Sequence, residues 1–362
     1  MILLGDFHLG VKKFDREICR RQVEYLKRII DKATEDDSTI FQLGDIFDNR
    51  TSADIYFLTQ VRGLFDYLVK KKVILYTLLG NHDIFWRNSR ETSLVQQFAD
   101  LYPKNFIVYK EREVFTYGDK RIYIVPWITK DEKLRASELK GIDACFGHFE
   151  INGFEVVKGH TDDKSSLTEA FFKKADCVVY SGHYHIRQLR EYIKYLGTPF
   201  QLNWNDFNER KGYYTLSKDL ELEFFENSDE DFIRHIKILY DDSSSNPILI
   251  QGFRKDIYGD LETLKENLEK LRDQNIKFFV NKSSDQKYED YLYILKENNI
   301  NFEFLNNQKI SELIETSYID EDSISIKPSR ELITDYLKSN NPELMDIYLE
   351  LLEEIKTQDE GG

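Results

Sequence analysis

Apolar and polar positions rotate between two periods over the first hundred residues. Residues 1–4, 39–43 and 73–79 are short, nearly continuous apolar runs, the pattern of buried strands. Between the first two, residues 15 to about 33 set Cys19, Val23, Leu26, Ile30 and Ala33 on one helical stripe. Between the second and third, residues 54–71 do the same with Leu58, Val61, Phe65 and Leu68. Strand, helix, strand, helix, strand at this spacing predicts parallel strands with right-handed crossovers. Their carboxyl ends then share one sheet edge, where open α/β sheets build their sites.

Beyond residue 100 the pattern turns strand-rich. Segments 106–109, 114–117, 121–126, 142–146, 176–180, 192–196, 213–216 and 220–225 read as short strands, with turns at Gly118-Asp119 and Lys218-Asp219. The economical arrangement is a second sheet packed on the first. A polar, acidic stretch at 226–231 reads as a linker. Residues 235–305 read as a small α+β unit, with strands near 236–240, 248–253, 277–280 and 301–305. Its helical spacings are Leu261/Leu264/Leu268/Leu271 and Tyr288/Tyr291/Leu292/Leu295. Residues 330–338 read as one helix, and Asn341-Pro342 as the start of another, Asn as cap and Pro at the first position. Leu344, Ile347, Tyr348, Leu351, Leu352 and Ile355 form a full apolar stripe there, opposite Glu343, Asp346, Glu350, Glu353 and Glu354. That stripe docks on its own domain or on a partner's helices. Residues 357–362 read as a tail.

Charge refines this division. The 362 residues carry a formal net charge of −15, which argues against a general polyanion binder. Residues 1–230 hold 34 Lys and Arg against 37 Asp and Glu, and the remainder 16 against 28. The acidity therefore belongs to the C-terminal third, and nucleic acid stays open as a substrate of the first part. Cys19, Cys145 and Cys177 lie far apart among apolar neighbours, without a Cys-x-x-Cys pair; neither a zinc ribbon nor a disulfide framework is expected. No run approaches the ~18 apolar residues of a membrane span. Residue 1 opens directly into a core strand, without a secretory pattern. A cytoplasmic protein with no membrane partner is the expectation.

The strand ends carry the chemistry. Asp6-Phe7-His8, Gly44-Asp45-Ile46-Phe47-Asp48, Gly80-Asn81-His82-Asp83, Gly147-His148 and Gly182-His183-Tyr184-His185 each follow a predicted strand. A lone Asp-x-His is usually a surface turn; five such pieces in this order are not. Asp6, His8, Asp45, Asn81, His148, His183 and His185 together offer carboxylate, amide and imidazole donors, a set suited to Mn²⁺, Fe or Zn²⁺ and unsuited to Ca²⁺. Two ions ~3.5–4 Å apart need a bridging carboxylate, and Asp45 is placed for that role. His82, one residue past Asn81, points to general-acid or transition-state work. Asp48 is positioned to accept its other N–H. Asp83 has the weaker claim of a turn cap. His160 and His235 lack such company and read as ordinary.

These motifs, with Leu4-Gly5 ahead of Asp6, Leu9-Gly10 after His8, Val125-Pro126-Trp127, Phe149-Glu150-Ile151-Asn152-Gly153-Phe154 and Leu196-Gly197-Thr198-Pro199, resemble the calcineurin-like metallophosphoesterases. Within them they resemble the SbcD-type DNA repair nucleases, and most of all the phage-encoded nuclease subunits of recombination exonucleases. The resemblance implies a four-layer-like αββα metallophosphoesterase fold with two mixed sheets at 1–230. It implies an α+β capping domain at 231–306, a linker at 307–328 and a helical ATPase-binding motif at 329–356. It implies two Mn²⁺, with Mg²⁺, Fe or Zn²⁺ as substitutes. One would be held by Asp6, His8, Asp45 and His185, the other by Asp45, Asn81, His148 and His183, with His82 catalytic. It further implies a double-strand exonuclease and single-strand endonuclease, dimeric within a heterotetramer with a Rad50-like coiled-coil ATPase, in the host cytoplasm if phage-encoded. Many cellular members carry His where this chain has Asp48. A metal-dependent phosphatase or cyclic phosphodiesterase is the alternative enzyme, and a non-catalytic scaffold for the ATPase a third reading.

Overall fold

The structure, a computed structural model, describes residues 1–35, 37–228, 232–280 and 287–306. The first strand, β1 (Ile2–Leu4), feeds helix α1 (Arg16–Ala33), then β2 (Thr39–Gln42), α2 (Ile55–Lys71) and β3 (Ile74–Leu78). Both helices start where a carboxylate caps them: Asp15 accepts the Ile18 N–H and Asp54 the Phe57 N–H. The strands pair parallel, Leu3 beside Phe41 and Phe41 beside Tyr76.

The first sheet is wider than the sequence pattern implied. Helix α3 (Leu94–Leu101), capped by Ser93, returns the chain to β4 (Phe106–Tyr109), which pairs parallel with β3. This is a further β-α-β step in the first sheet; α3 was not read from the sequence. The second sheet begins with the hairpin β5 (Glu113–Tyr117) and β6 (Lys120–Val125). It continues through β7 (Ala144–His148), helix α4 (Glu169–Lys174), β8 (Val178–Gly182), β9 (Gln188–Leu189) and β10 (Ile193–Tyr195). Strands β11 (Gly212–Leu216) and β12 (Leu222–Glu226) then return to the first sheet, β11 antiparallel to β1. The first sheet thus has order β12-β11-β1-β2-β3-β4 and the second β9-β10-β8-β7-β6-β5.

Three apolar clusters give the layers. Leu3, Phe41, Leu78, Ile124, Phe146, Tyr180 and Tyr214 fill the space between the sheets. Leu26, Ile40, Val61, Phe65 and Leu75 join α1 and α2 to the outer face of the first sheet. Cys145, Phe149, Phe172, Cys177 and Tyr195 cover the outer face of the second. This is the expected helix-sheet-sheet-helix order. The three cysteines are buried and unpaired.

A third sheet has its own core. Strands β13 (His235–Tyr240), β14 (Ile248–Gln251) and β15 (Ile257–Gly259) precede helices α5 (Leu261–Glu266) and α6 (Leu268–Leu271). Strand β16 (Asn275–Val280), α7 (Tyr288–Glu297) and β17 (Phe302–Asn306) complete it, in order β15-β14-β13-β16-β17. It meets the first part where Phe232 stacks on Phe200 at 4.3 Å and Gln201 Oε1 accepts the His235 N–H at 2.8 Å. His235 is buried there, and burial, with Lys12 adding, pushes its pKa down to about 3. His160 is exposed. The stripe Leu344, Ile347, Tyr348, Leu351, Leu352 and Ile355 lies outside the described residues.

Candidate metal centre

The donors converge because the strands that precede them end along one edge, and because their loops are forced into tight turns. His8, Asp45 and His183 have φ of 45°, 56° and 91°, left-handed conformations that cost a non-glycine residue about 1–3 kcal/mol each and persist where surroundings impose them. Three buried polar side chains hold the loops at His8 and Asp45, while the His183 N–H is held by Asp6. Gln22, on the inner face of α1, donates to the carbonyls of Phe7 and His8 (3.2 and 3.0 Å) and accepts the Gly10 N–H. Gln42 donates to the carbonyls of Gly5 and Gly44 and accepts the Gly44 N–H. Asp83 accepts four main-chain N–H groups: Asp45 at 2.7 Å, Gly80 and Ile46 at 2.9 Å, and Phe47 at 3.3 Å. It ties the loop after β3 to the loop after β2, more than the turn cap read from the sequence. Gly80 must be glycine, since a Cβ there would stand 2.1 Å from Asp45 Oδ1.

Three donor groups result; one joins His8, Asp48 and His82, and the other two flank Asp45. In one of those two, Asp6, His8 and His185 converge: His185 Nε2 lies 3.0 Å from His8 Nε2 and 4.0 Å from Asp6 Oδ2. In the other, Asp45, His148 and His183 converge: His148 Nε2 lies 3.2 Å from Asp45 Oδ2, and Asn81 Oδ1 lies 3.0 Å from His148 Nε2 and 3.1 Å from His183 Nδ1. Asp45 Oδ2 is also 3.7 Å from His8 Nε2, so this carboxylate stands between the groups. Parallel pairing sets His148 beside Gly182. Asp6 accepts the His183 N–H at 2.9 Å, and Asp45 the His82 N–H at 2.7 Å.

Partners further out fix the rings. The Leu43 carbonyl, 2.8 Å from His148 Nδ1, places that ring's N–H on Nδ1 and leaves Nε2 as donor. Glu150 Oε1 stands 3.5 Å from His183 Nε2. The Trp127 ring lies 5.2 Å from His183, its carbonyl held at 2.7 Å by Arg90, which also grips Glu132 with two bonds. Glu150 and Trp127 stood within the sequence motifs without a role. Gln22 carried a signal, a polar residue inside the apolar stripe of α1.

The pairing expected between His82 and Asp48 takes a different form. His82 Nδ1 lies 2.7 Å from the main-chain carbonyl of Asp48, which fixes its tautomer. The Asp48 carboxylate stands by both rings, grouped with His8 and His82, its Oδ1 3.3 Å from His8 Nδ1. The reason is geometric: after the left-handed turn at Asp45, the chain presents its carbonyl to His82. The His82 ring is edge-on to His8, 4.8 Å between centroids.

The charges are those of a site built to bind cations. Burial pushes the Asp6 carboxyl up to about 7; His148 opposes this and Asp45 adds to it. Burial opposes ionisation of Asp45 too, yet His148 and His82 hold it well below the usual carboxylate range. Burial lowers and carboxylates raise the imidazoles. Asp48 and Asp45 bring His8 up to about 9, and Asp45 and Asp6 bring His148 up to about 10. His183 and His185 are lowered, by burial first and then by His148 and His8 respectively. Carboxylate oxygens, one amide oxygen and imidazole nitrogens gathered around Asp45 fit first-row divalent metal.

Comparison with known proteins agrees. Residues 1–187 match the calcineurin-like phosphoesterase family, and the chain belongs to it: the protein is a hydrolase of phosphate esters from a family that binds divalent metals. It is similar to exonuclease subunit 1 of Enterobacteria phage T4, 31% identical over 230 residues, which is 62% of this chain and 67% of the relative.

Proposed function

We propose that the protein is a Mn²⁺-dependent DNA nuclease that hydrolyses phosphodiesters with two ions, as one subunit of a complex with a Rad50-like ATPase. The observation that carries this is the pair of donor groups sharing Asp45, with His82 beside the first. Asp6, His8, Asp45 and His185 would hold one ion; Asp45, Asn81, His148 and His183 would hold the other. When bound, the ions supply Lewis-acid polarisation of the phosphoryl oxygens and activate water near neutral pH. His82, its Nδ1 proton given to the Asp48 carbonyl, moves a proton at Nε2 toward the leaving oxygen. Glu150 orients His183, and Trp127 walls off the face of His183.

DNA as substrate, and work within a complex, are supported by the relative, named as a subunit of an exonuclease. The layout follows: a nuclease domain at 1–230, a capping domain at 231–306, and an apolar helical stripe from Leu344 to Ile355 that docks on the ATPase coiled coil. A homodimer within a heterotetramer completes the assembly. The test is Mn²⁺-dependent digestion of end-labelled linear DNA beside a p-nitrophenyl phosphodiester, for wild type and His82→Ala. Loss of both activities in the variant, by about 10²- to 10⁴-fold, is expected. Hydrolysis of the small ester without DNA cleavage, even with the ATPase and ATP, would favour a phosphatase or cyclic phosphodiesterase.

A further inference from the structure

Outside the donor groups, the segment between β10 and β11 buries an ion pair. Lys211 and Asp206 meet at 2.5 Å and are 7% and 2% exposed. Asp206 also accepts the N–H groups of Leu202 at 2.8 Å and Asn203 at 3.2 Å, closing its turn. Lys211 Nζ makes two further hydrogen bonds, both 2.8 Å, to Thr198 Oγ1 and to the main-chain carbonyl of His185. That carbonyl is enclosed: it accepts the Thr198 N–H at 3.2 Å, and a Cβ at Gly197 would stand 2.7 Å from it.

His185 depends on this hold more than its neighbours would. His148 is oriented by the Leu43 carbonyl, His8 by Asp48 and His183 by Glu150. His185 Nε2 faces His8 and Asp6, and among the described residues its Nδ1 makes no hydrogen bond. Its ring is therefore aimed by its backbone, and Lys211 is the charged donor on that backbone. A buried ion pair adds little net stability over an apolar replacement, so stability alone is a poor reason for this pair to be here. The same turn faces the third sheet on its other side, where the Lys277 ammonium lies 4.4 Å from the Trp204 ring centroid and the Lys237 ammonium 4.1 Å from that of Phe207.

We infer that Lys211 is a positioning residue for the ion held by Asp6, His8, Asp45 and His185, acting through the His185 carbonyl with Asp206 as its neutralising partner. This rests on the two-ion reading above. The experiment is Mn²⁺ titration of the full chain by calorimetry and electron paramagnetic resonance, comparing wild type with Lys211→Met and with Lys211→Met/Asp206→Asn. The double variant leaves no unpaired buried carboxylate, and its unfolding in chelator shows that it is folded. Wild type is expected to bind two ions as a coupled pair. The variants are expected to keep one tight site and to lose about 10- to 100-fold in the other, with the spectrum of an isolated ion at one equivalent. Adding His185→Ala to the double variant is expected to cause no additional loss at that site. Two ions bound by the folded double variant with wild-type affinities would overturn the role of Lys211. A single ion in wild type would overturn the two-ion reading itself.

Discussion

Asp83→Asn tests how the left-handed turn at Asp45 is maintained. Asp83 is 3% exposed, and each of its oxygens accepts two main-chain N–H groups: Oδ2 those of Asp45 and Gly80, Oδ1 those of Ile46 and Phe47. Asparagine matches the shape but presents an NH₂ group at one end. Whichever way the amide sits, two buried donors then face a donor. A buried donor left unsatisfied costs about 1–3 kcal/mol, so the substitution is expected to cost about 2–6 kcal/mol, a large part of the ~5–15 kcal/mol that holds a typical domain. Burial and Asp45 push the Asp83 carboxyl up to about 7 while the N–H groups hold it down. The ionised form is the one that fits, because a protonated oxygen would have to aim its hydrogen at one of four converging donors. The assay is urea unfolding in excess chelator, which removes any contribution from bound metal; the midpoint should fall with the slope unchanged. A loss below about 1 kcal/mol would refute the reasoning, since it would mean that the carboxyl is protonated in the native protein or that the four bonds do not hold the loops.

Metal binding should depend on pH in a fixed direction. His8 and His148, raised to about 9 and 10 from 6.5, hold protons more tightly in the metal-free fold than in the unfolded chain. Their stabilisation is complete below pH ~6.5 and is lost as pH rises through 9 to 10. A divalent ion competes for the same nitrogens, so Mn²⁺ affinity should climb over that window and binding at pH 7 should expel protons; calorimetry in buffers of different ionisation heat would show it, and buffer-independent heats would contradict it. Asp48→Asn leaves the carbonyl that holds His82 but alters the partner of His8; Mn²⁺ affinity at one site should fall by about 10-fold, whereas unchanged affinity with a large loss of kcat would place the carboxylate on His82 instead. Deleting residues 330–362 should abolish pull-down by the ATPase; retained binding would refute docking by the Leu344–Ile355 stripe.

Much of the site was legible because its donors follow strands whose apolar runs are short and sharply bounded, so the edge they share could be deduced from connection lengths alone. The helices α1 and α2 were legible from their apolar stripes. What escaped was non-local or brief. Strand β11 pairs with β1 across some two hundred residues of sequence, and nothing in the pattern of 213–216 assigns it to one sheet or the other. Helix α3 has eight residues, too few turns for its period to stand out between loops. Between β7 and β8, the two-residue pairings of Ile151–Asn152 with Leu167–Thr168 leave no periodic trace. Asp83, Gln42 and Lys211 act on main-chain groups of distant loops, and their sequence neighbours give no sign of it. For Asp48, spacing indicated proximity to His82, yet only the turn geometry decides that its main-chain carbonyl meets the ring at Nδ1.

The most direct test of the central proposal is anomalous diffraction at the manganese edge from crystals grown with Mn²⁺. Two peaks ~3.5–4 Å apart, one against Asp6, His8 and His185, the other against Asn81, His148 and His183, with Asp45 touching both, are expected. A single peak, or two peaks without Asp45 between them, would contradict a two-ion centre built on this sheet edge.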